Sequence, residues 1–163
     1  MKKKQIILNK QSINNKINRI AFAIIEDYHE EKSLTFIGFY KNGYTIAEKL
    51  KTIIEKKYKI NISIHTIRPI ASDEYTIEPP LKKGNTKNTF LVDDVLKSGR
   101  TIIYGIKEIL THDIESLKTI ILVNRNHNTF PIGVDYVGLN LSTTLKDHIE
   151  VILDKEQEVA YLM

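Results

Sequence analysis

Two adjacent carboxylates, Asp93 and Asp94, follow an apolar run, Phe90-Leu91-Val92, and precede a polar turn, Lys97-Ser98-Gly99-Arg100-Thr101. Such a pair can accept hydrogen bonds from a vicinal diol, or hold a magnesium ion through water. Gly99 lets the backbone approach a ligand closely. The hydroxyls of Ser98 and Thr101, with the N–H groups that open the following helix, make a phosphate cradle favoured by the helix dipole. A diol site and a phosphate site in one segment describe a ribose 5-phosphate. Taken singly, Asp-Asp is an ordinary solvated turn and Ser-Gly-Arg-Thr an ordinary helix start. Both in fixed order, between a strand and an amphipathic helix, are far more specific. The pair is expected at the exposed end of its strand, where its removal costs little stability.

The elements that must position this segment are readable from periodicity. Ile13, Ile17, Ile20, Ala21, Ile24 and Tyr28 recur at helical spacing, with Asn9 as a candidate cap. Leu34 to Phe39 reads as a buried strand. Ile46, Ala47, Leu50, Ile53 and Ile54 mark a second helix, and Ile60, Ile62 and Ile64 alternate as a strand. The stretch 69–88, with three of the chain's four prolines, reads as a long loop, which in a compact domain is usually functional or disordered. Thr89–Val92 is strand-like, Ile102 to Leu110 helical and Thr119–Val123 strand-like. Shorter strands are expected at Asp135–Gly138, His148–Leu153 and Val159–Leu162. Strands alternating with helices imply an α/β fold with a mainly parallel sheet, whose ligands gather at the carboxyl ends of the strands. The chemistry is therefore expected after Phe36-Ile37, after Leu91-Val92 and after Leu122-Val123.

Composition excludes several alternatives. The 163 residues suit one domain, of the usual ~100–200. No cysteine is present, so a disulfide scaffold, a zinc ribbon, an iron–sulfur site and thiol catalysis are all excluded. None of the five histidines has metal-ligand spacing, and each is expected on the surface or in the core. No apolar run nears the ~20 residues of a membrane span. Met1-Lys2-Lys3-Lys4 imitates the start of a signal peptide, but only Ile6-Ile7-Leu8 follows before polar Asn9, so a cytoplasmic location is expected. The net charge is +4, almost all of it from lysine, with a denser group at Lys49, Lys51, Lys56, Lys57 and Lys59 that reads as a solvated helix face before a nucleic-acid contact. The four arginines, Arg19, Arg68, Arg100 and Arg125, are worth locating because the guanidinium fork suits phosphate.

The segment Phe90-Leu-Val-Asp-Asp-Val-Leu-Lys-Ser-Gly-Arg-Thr101 resembles the phosphoribosyl-pyrophosphate (PRPP) motif of type I phosphoribosyltransferases. The resemblance extends over nearly the whole chain, in particular to the branch that combines pyrimidine-operon regulation with uracil phosphoribosyltransferase activity. Ile7-Leu8, Arg19-Ile20-Ala21 and Ile24-Ile25-Glu26 match an amino-terminal helix of that branch, and Ile37-Gly38 and Gly43 its pyrophosphate loop. Leu122-Val123, Arg125, His127, Pro131-Ile132, Asp135-Tyr136-Val137-Gly138 and Asn140 match its last third.

This resemblance implies a type I phosphoribosyltransferase fold, with a small hood from the terminal segments. The implied reaction is attack of a nucleobase on C1′ of PRPP with loss of pyrophosphate, assisted by Mg2+. Asp93 and Asp94 would bind the ribose hydroxyls, and through them or through water the metal. Val95, Leu96, Lys97, Ser98, Gly99, Arg100 and Thr101 would form the 5-phosphate site. Tyr40-Lys41-Asn42-Gly43 is the pyrophosphate loop. There Tyr40 and Asn42 replace charged family residues, leaving Lys41 to supply a cation from a shifted position. Arg68 would contact the leaving group, and 69–88, shorter than in relatives, would be a mobile lid. Arg125 and His127 belong to the base-side segment, where Asn124 and Asn126 replace an aspartate and a glycine. The nucleobase would lie near the Val137 backbone.

The family also implies a homodimer or higher homo-oligomer, and, as a second possibility, RNA binding through a basic first helix. Arg19 and His127 are kept from that surface. Asn14, Asn15, Asn18 and Phe22 replace its arginines, hydroxylic residue and histidine, and Glu26, Asp27, Glu30 and Glu31 make the helix end acidic. Lost positive charge weakens attraction to phosphate, so enzyme activity is ranked first.

Overall fold

The computed structural model describes residues 4–84, 86–142, 144 and 146–163. Its elements in chain order are β1 (Gln5–Leu8), α1 (Lys10–Tyr28), β2 (Ser33–Phe39), α2 (Asn42–Lys57), β3 (Asn61–Ala71), β4 (Glu74–Glu78), β5 (Thr89–Leu96), α3 (Arg100–Ile109), β6 (Leu117–Asn124), β7 (Tyr136–Asn140), β8 (Ile149–Leu153) and β9 (Glu158–Leu162). Six strands form the main sheet in the order β4-β3-β2-β5-β6-β7, parallel throughout except for antiparallel β4. A separate antiparallel sheet, β1-β9-β8, gathers both ends of the chain into a hood. No helix among the described residues is long and apolar enough to cross a membrane.

The central strands read as continuous apolar runs because both faces of the sheet are covered. Helices α1 and α2 cover one face, with Ile13, Ile17, Ile20, Ile46, Leu50 and Ile54 meeting Phe36, Phe90 and Leu122. Helix α3 covers the other, with Ile102 and Ile109 against Ile37, Leu91 and Ile121. Asn9 caps α1: its side chain accepts from the Ser12 N–H at 2.9 Å. The hood is tied to α2 by a Lys49–Glu158 ion pair of 2.7 Å.

Two expectations are corrected here. The stretch 69–88 is not a loop throughout: β3 runs on to Ala71, turns at Asp73 (φ 57°) and returns as β4. The alternating Tyr75 and Ile77 of β4 pack inward, Ile77 at 6% exposure and Tyr75 edge-on to Phe39. Strand β2 ends its pairing with β3 at Phe39–Ile67, so Pro69 lies where only β4 pairs with β3 and its missing N–H is tolerated. What remains irregular is 79–88, of which Asn85 lies outside the described residues, as do Met1 to Lys3. Second, β5 does not stop at Val92 but continues through Asp93, Asp94 and Val95 to Leu96, paired with β6 to its end, so only Lys97-Ser98-Gly99 is loop. The strand expected at Asp135–Gly138 is found at Tyr136–Asn140, as the edge of the main sheet.

Candidate active site

The acidic pair sits where three elements converge. Gly43, in the first turn of α2, presses on the end of β5. A Cβ there would lie 2.4 Å from the Val92 carbonyl oxygen and 3.2 Å from Asp93 Cα. Only glycine allows that approach, and it brings the neighbouring Asn42 to the pair. Asn42 Nδ2 donates to Asp94 Oδ2 at 2.7 Å and to the Val151 carbonyl of the hood at 2.9 Å. Each carboxylate also accepts from the next backbone N–H, Asp93 Oδ1 from Asp94 at 2.9 Å and Asp94 Oδ1 from Val95 at 2.7 Å.

Asp93 is 9% exposed, not at an open strand end. Burial, and after it the charge of Asp94, hold its carboxyl well above the usual carboxylate range. A buried, like-charged pair of this kind is a site that gains from an arriving cation or hydroxyl donor. Among the described residues no third Asp, Glu, His or Cys joins it to make a metal cage. Two carboxylates alone fit an ion that keeps most of its water or is shared with a ligand, as magnesium is.

Two cavities meet at this pair. One, of about 270 Å³, is lined by residues 93 to 102 of β5 and the start of α3, together with Ile149 of the hood. The other, of about 250 Å³, is lined by Tyr40, Lys41, Asn42, Asp93 and Asp94. Arg68, Arg125 and Val137 line neither.

In the first cavity the turn is rigidly braced. Gly99 has φ 85°, open to glycine at little cost, and a Cβ there would come within 3.0 Å of Ile132 Cγ1. The Ser98 carbonyl accepts from the N–H groups of Thr129 and Phe130 at 2.9 and 3.0 Å. At the start of α3 the Arg100 N–H donates to Ser98 Oγ at 3.3 Å, and a helix N-terminus of this kind is suited to an anion. Val95 and Leu96 contribute differently: Leu96 is a core residue, and its carbonyl accepts from the Arg125 N–H at 3.2 Å. Arg100 turns its fork toward the hairpin tip. Its Nε donates to Asp73 Oδ1 at 3.0 Å and its Nη2 pairs with Asp73 Oδ2. The hairpin is thus latched onto the cradle.

At the second cavity the cations gather on Tyr40. The Arg68 guanidinium lies 4.9 Å from the ring centroid and the Lys41 ammonium 5.8 Å. Arg68 Nε is also 3.2 Å from Glu78 Oε2. The sequence reading treats Tyr40 as a lost charge; in the structure it is an exposed ring that holds two cations at the mouth of the site. The only local signal is the lysine that follows the tyrosine, since Arg68 reaches the ring through the fold.

On the far side of β5, Arg125 is 7% exposed and donates to the Thr144 carbonyl at 3.1 Å. Val137 is level with Ile121 of β6, and so with Asp93. Its carbonyl is already engaged: Arg19 Nη2 donates to Val137 and Gly138 oxygens at 2.9 and 2.7 Å. Asn124 donates to Asn126 and Asn140 at 2.9 and 3.1 Å, forming an amide cluster at the carboxyl ends of β6 and β7.

The chain matches known proteins in sequence and in fold. A family model described as "Phosphoribosyl transferase domain" matches residues 4–155. Bifunctional protein PyrR of Clostridium novyi is 28% identical over 166 residues, spanning 95% of this chain and 93% of the relative. Its Bacillus subtilis counterpart is 29% identical over 170 residues, 95% and 93% of the two chains. Among solved structures, a hypoxanthine-guanine phosphoribosyltransferase from Bacillus anthracis superposes with a TM-score of 0.69 at 18% identity, covering 85% of this chain and 84% of that one. The hypoxanthine phosphoribosyltransferase of Trypanosoma cruzi in complex with IMP gives 0.70 at 20% identity, covering 83% and 79%.

Proposed function

Since the chain belongs to the phosphoribosyl transferase domain family, we propose that it transfers the 5-phosphoribosyl group of PRPP to uracil, releasing pyrophosphate and a nucleoside monophosphate. The observation that carries this reading is the acidic pair shared by two cavities, one walled by the phosphate turn and the other by Lys41, with Arg68 held beside it on Tyr40. That is the layout PRPP needs: 5-phosphate at one end, ribose diol in the middle, pyrophosphate at the other.

The bond from C1′ to the pyrophosphate oxygen breaks as a ring nitrogen of the base bonds to C1′; the electron pair leaves with pyrophosphate, and the proton of that nitrogen passes to water. Positive charge develops on the ribose, so the protein acts by positioning and electrostatics. The turn from Lys97 to Thr101 anchors the 5-phosphate. Asp93 and Asp94 accept from the ribose hydroxyls beside the developing charge. Lys41 and Arg68, gathered on Tyr40, face the leaving group; Arg68 exchanges Glu78 for it. Asn42 holds Asp94 in place. Asp93 and Asp94 would hold magnesium through water or the ribose hydroxyls, and the ion would offset charge on the pyrophosphate.

Uracil is preferred because the sequence resemblance runs to the uracil-using branch, while the hypoxanthine enzymes share the fold at 18–20% identity. The test is direct: PRPP and magnesium are supplied with uracil, hypoxanthine, guanine, xanthine and adenine in turn. The uridine nucleotide is expected. Turnover of hypoxanthine alone would move the base assignment, and no nucleotide from any base would overturn the enzyme reading. The second reading, an RNA-binding attenuator, draws support from the bifunctional relatives. Against it, Arg19, one of the residues kept from that surface, is engaged by the edge of β7.

A further inference from the structure

The hood brings a histidine to the phosphate turn. His148, just before β8, places Nδ1 3.2 Å from the Lys97 ammonium. An ammonium only donates, so this Nδ1 carries a lone pair and the ring is neutral with its proton on Nε2. The ring is held there by its own backbone, which exchanges two hydrogen bonds with Met163 at 2.9 and 2.8 Å. Partial desolvation, then the charges of Lys97 and Arg125, keep the imidazole below its ordinary range, and Glu150 opposes them. Glu150 is itself paired with Lys4 of β1 at 2.8 Å, and Asp147 accepts from the N–H and hydroxyl of Thr144. The cations that face His148 from other elements are therefore Lys97 of the phosphate turn and Arg125 just after β6.

We propose that His148 is a positioning residue of the 5-phosphate site, and that filling the Lys97–Thr101 cradle with a phosphate-type dianion is coupled to proton uptake by this ring. The inference rests on the reading of that turn as a phosphate site. An arriving dianion draws Lys97 away from Nδ1 and offsets its charge. The imidazolium then adds its positive charge beside that of Lys97, and Nδ1 becomes a donor. Binding of the phosphoribosyl substrate should consequently weaken as pH rises through the imidazole range of the complex.

The probe is inorganic sulfate, which has the shape and charge of the phosphate but no titrating proton near neutrality. The imidazole signal of His148, assigned with His148→Gln, is followed by NMR against pH with and without saturating sulfate, on the full chain. The expected result is a rise in the midpoint of about 0.5–1 pH unit, the size a nearby dianion produces at a solvated site. His148→Gln should keep the cradle's amide response to sulfate but lose the pH dependence of its affinity between pH 6 and 8. Amides of Lys97 to Thr101 that respond to sulfate, with an unmoved His148 midpoint, would overturn the coupling and leave the phosphate site standing. Amides that do not respond at all would overturn the phosphate site and the coupling with it.

Discussion

Asp93 illustrates what a single buried acid does to a molecule that must bind a polar substrate. Its folded-state pKa lies above the ordinary value, so the neutral form is the one the fold prefers. The stability this contributes is complete below the ordinary carboxylate range and is lost as pH rises through the folded value. Asp93→Asn keeps a side-chain oxygen for the Asp94 N–H and removes the buried charge. It should raise the melting temperature at pH 8 by about 2–4 °C, the shift that ~1 kcal/mol makes in a chain of this size, and the gain should shrink toward pH 4. A lower melting temperature at pH 8 would sink this account of the pair. Combined with Asp94→Asn it should abolish PRPP binding in calorimetry. Tyr40 is the second residue with a measurable role. If it gathers Lys41 and Arg68, Tyr40→Ala should raise KM for PRPP by about 2–30-fold, the equivalent of a 0.5–2 kcal/mol cation–π contribution, with melting unchanged. Unaltered KM would return Tyr40 to the status of an exposed ring.

Among the elements, the β3–β4 hairpin occupies much of the place of the expected lid. It is a paired strand with a buried Ile77, yet its tip is held by an exposed ion pair, Asp73 to Arg100, on the rim of the cradle. Exposed pairs contribute only about 0.2–1 kcal/mol, so the latch is easily exchanged for a ligand. Asp73→Asn should speed amide hydrogen exchange in Glu74–Glu78 by up to about five-fold, and Arg100→Ala should do the same. The double variant should add little to either. Exchange that is unchanged in both single variants would show that the hairpin is held by Tyr75 and Ile77 alone. The site depends just as much on the contact of α2 with β5, since Gly43 has no room for a methyl group against Val92.

For the molecule as a whole, the question is which surface meets a large polyanion. Helix α1 presents Asn15, Asn18 and an exposed Phe22, and turns Arg19 into the β7 edge. Few cations are left there to face phosphate, so association with RNA should be weak and steeply salt-dependent. In filter binding at physiological salt, a pyrimidine-leader hairpin should bind no better than a scrambled RNA of equal length. Selective binding that survives moderate salt, with no turnover of any base, would favour the attenuator.

The strand–turn–helix around Asp93 and Gly99 was legible because every part of it lies within a dozen consecutive residues, and local chemistry follows from local order. The same holds for the Asn9 cap and for the apolar periods of α1, α2 and the central strands, each set by burial on a neighbouring face. What only the tertiary structure decided are contacts between segments far apart in the chain. Asp93 is buried because α2 and the hood close over the end of β5. Arg68 meets Tyr40 and Glu78, Arg100 meets Asp73, and Arg19 reaches Val137 across 118 positions. Lys97 finds His148 only because the carboxyl-terminal strands fold back as a hood. A sequence states which side chains can pair, but the packing of the sheet and hood selects which of them do.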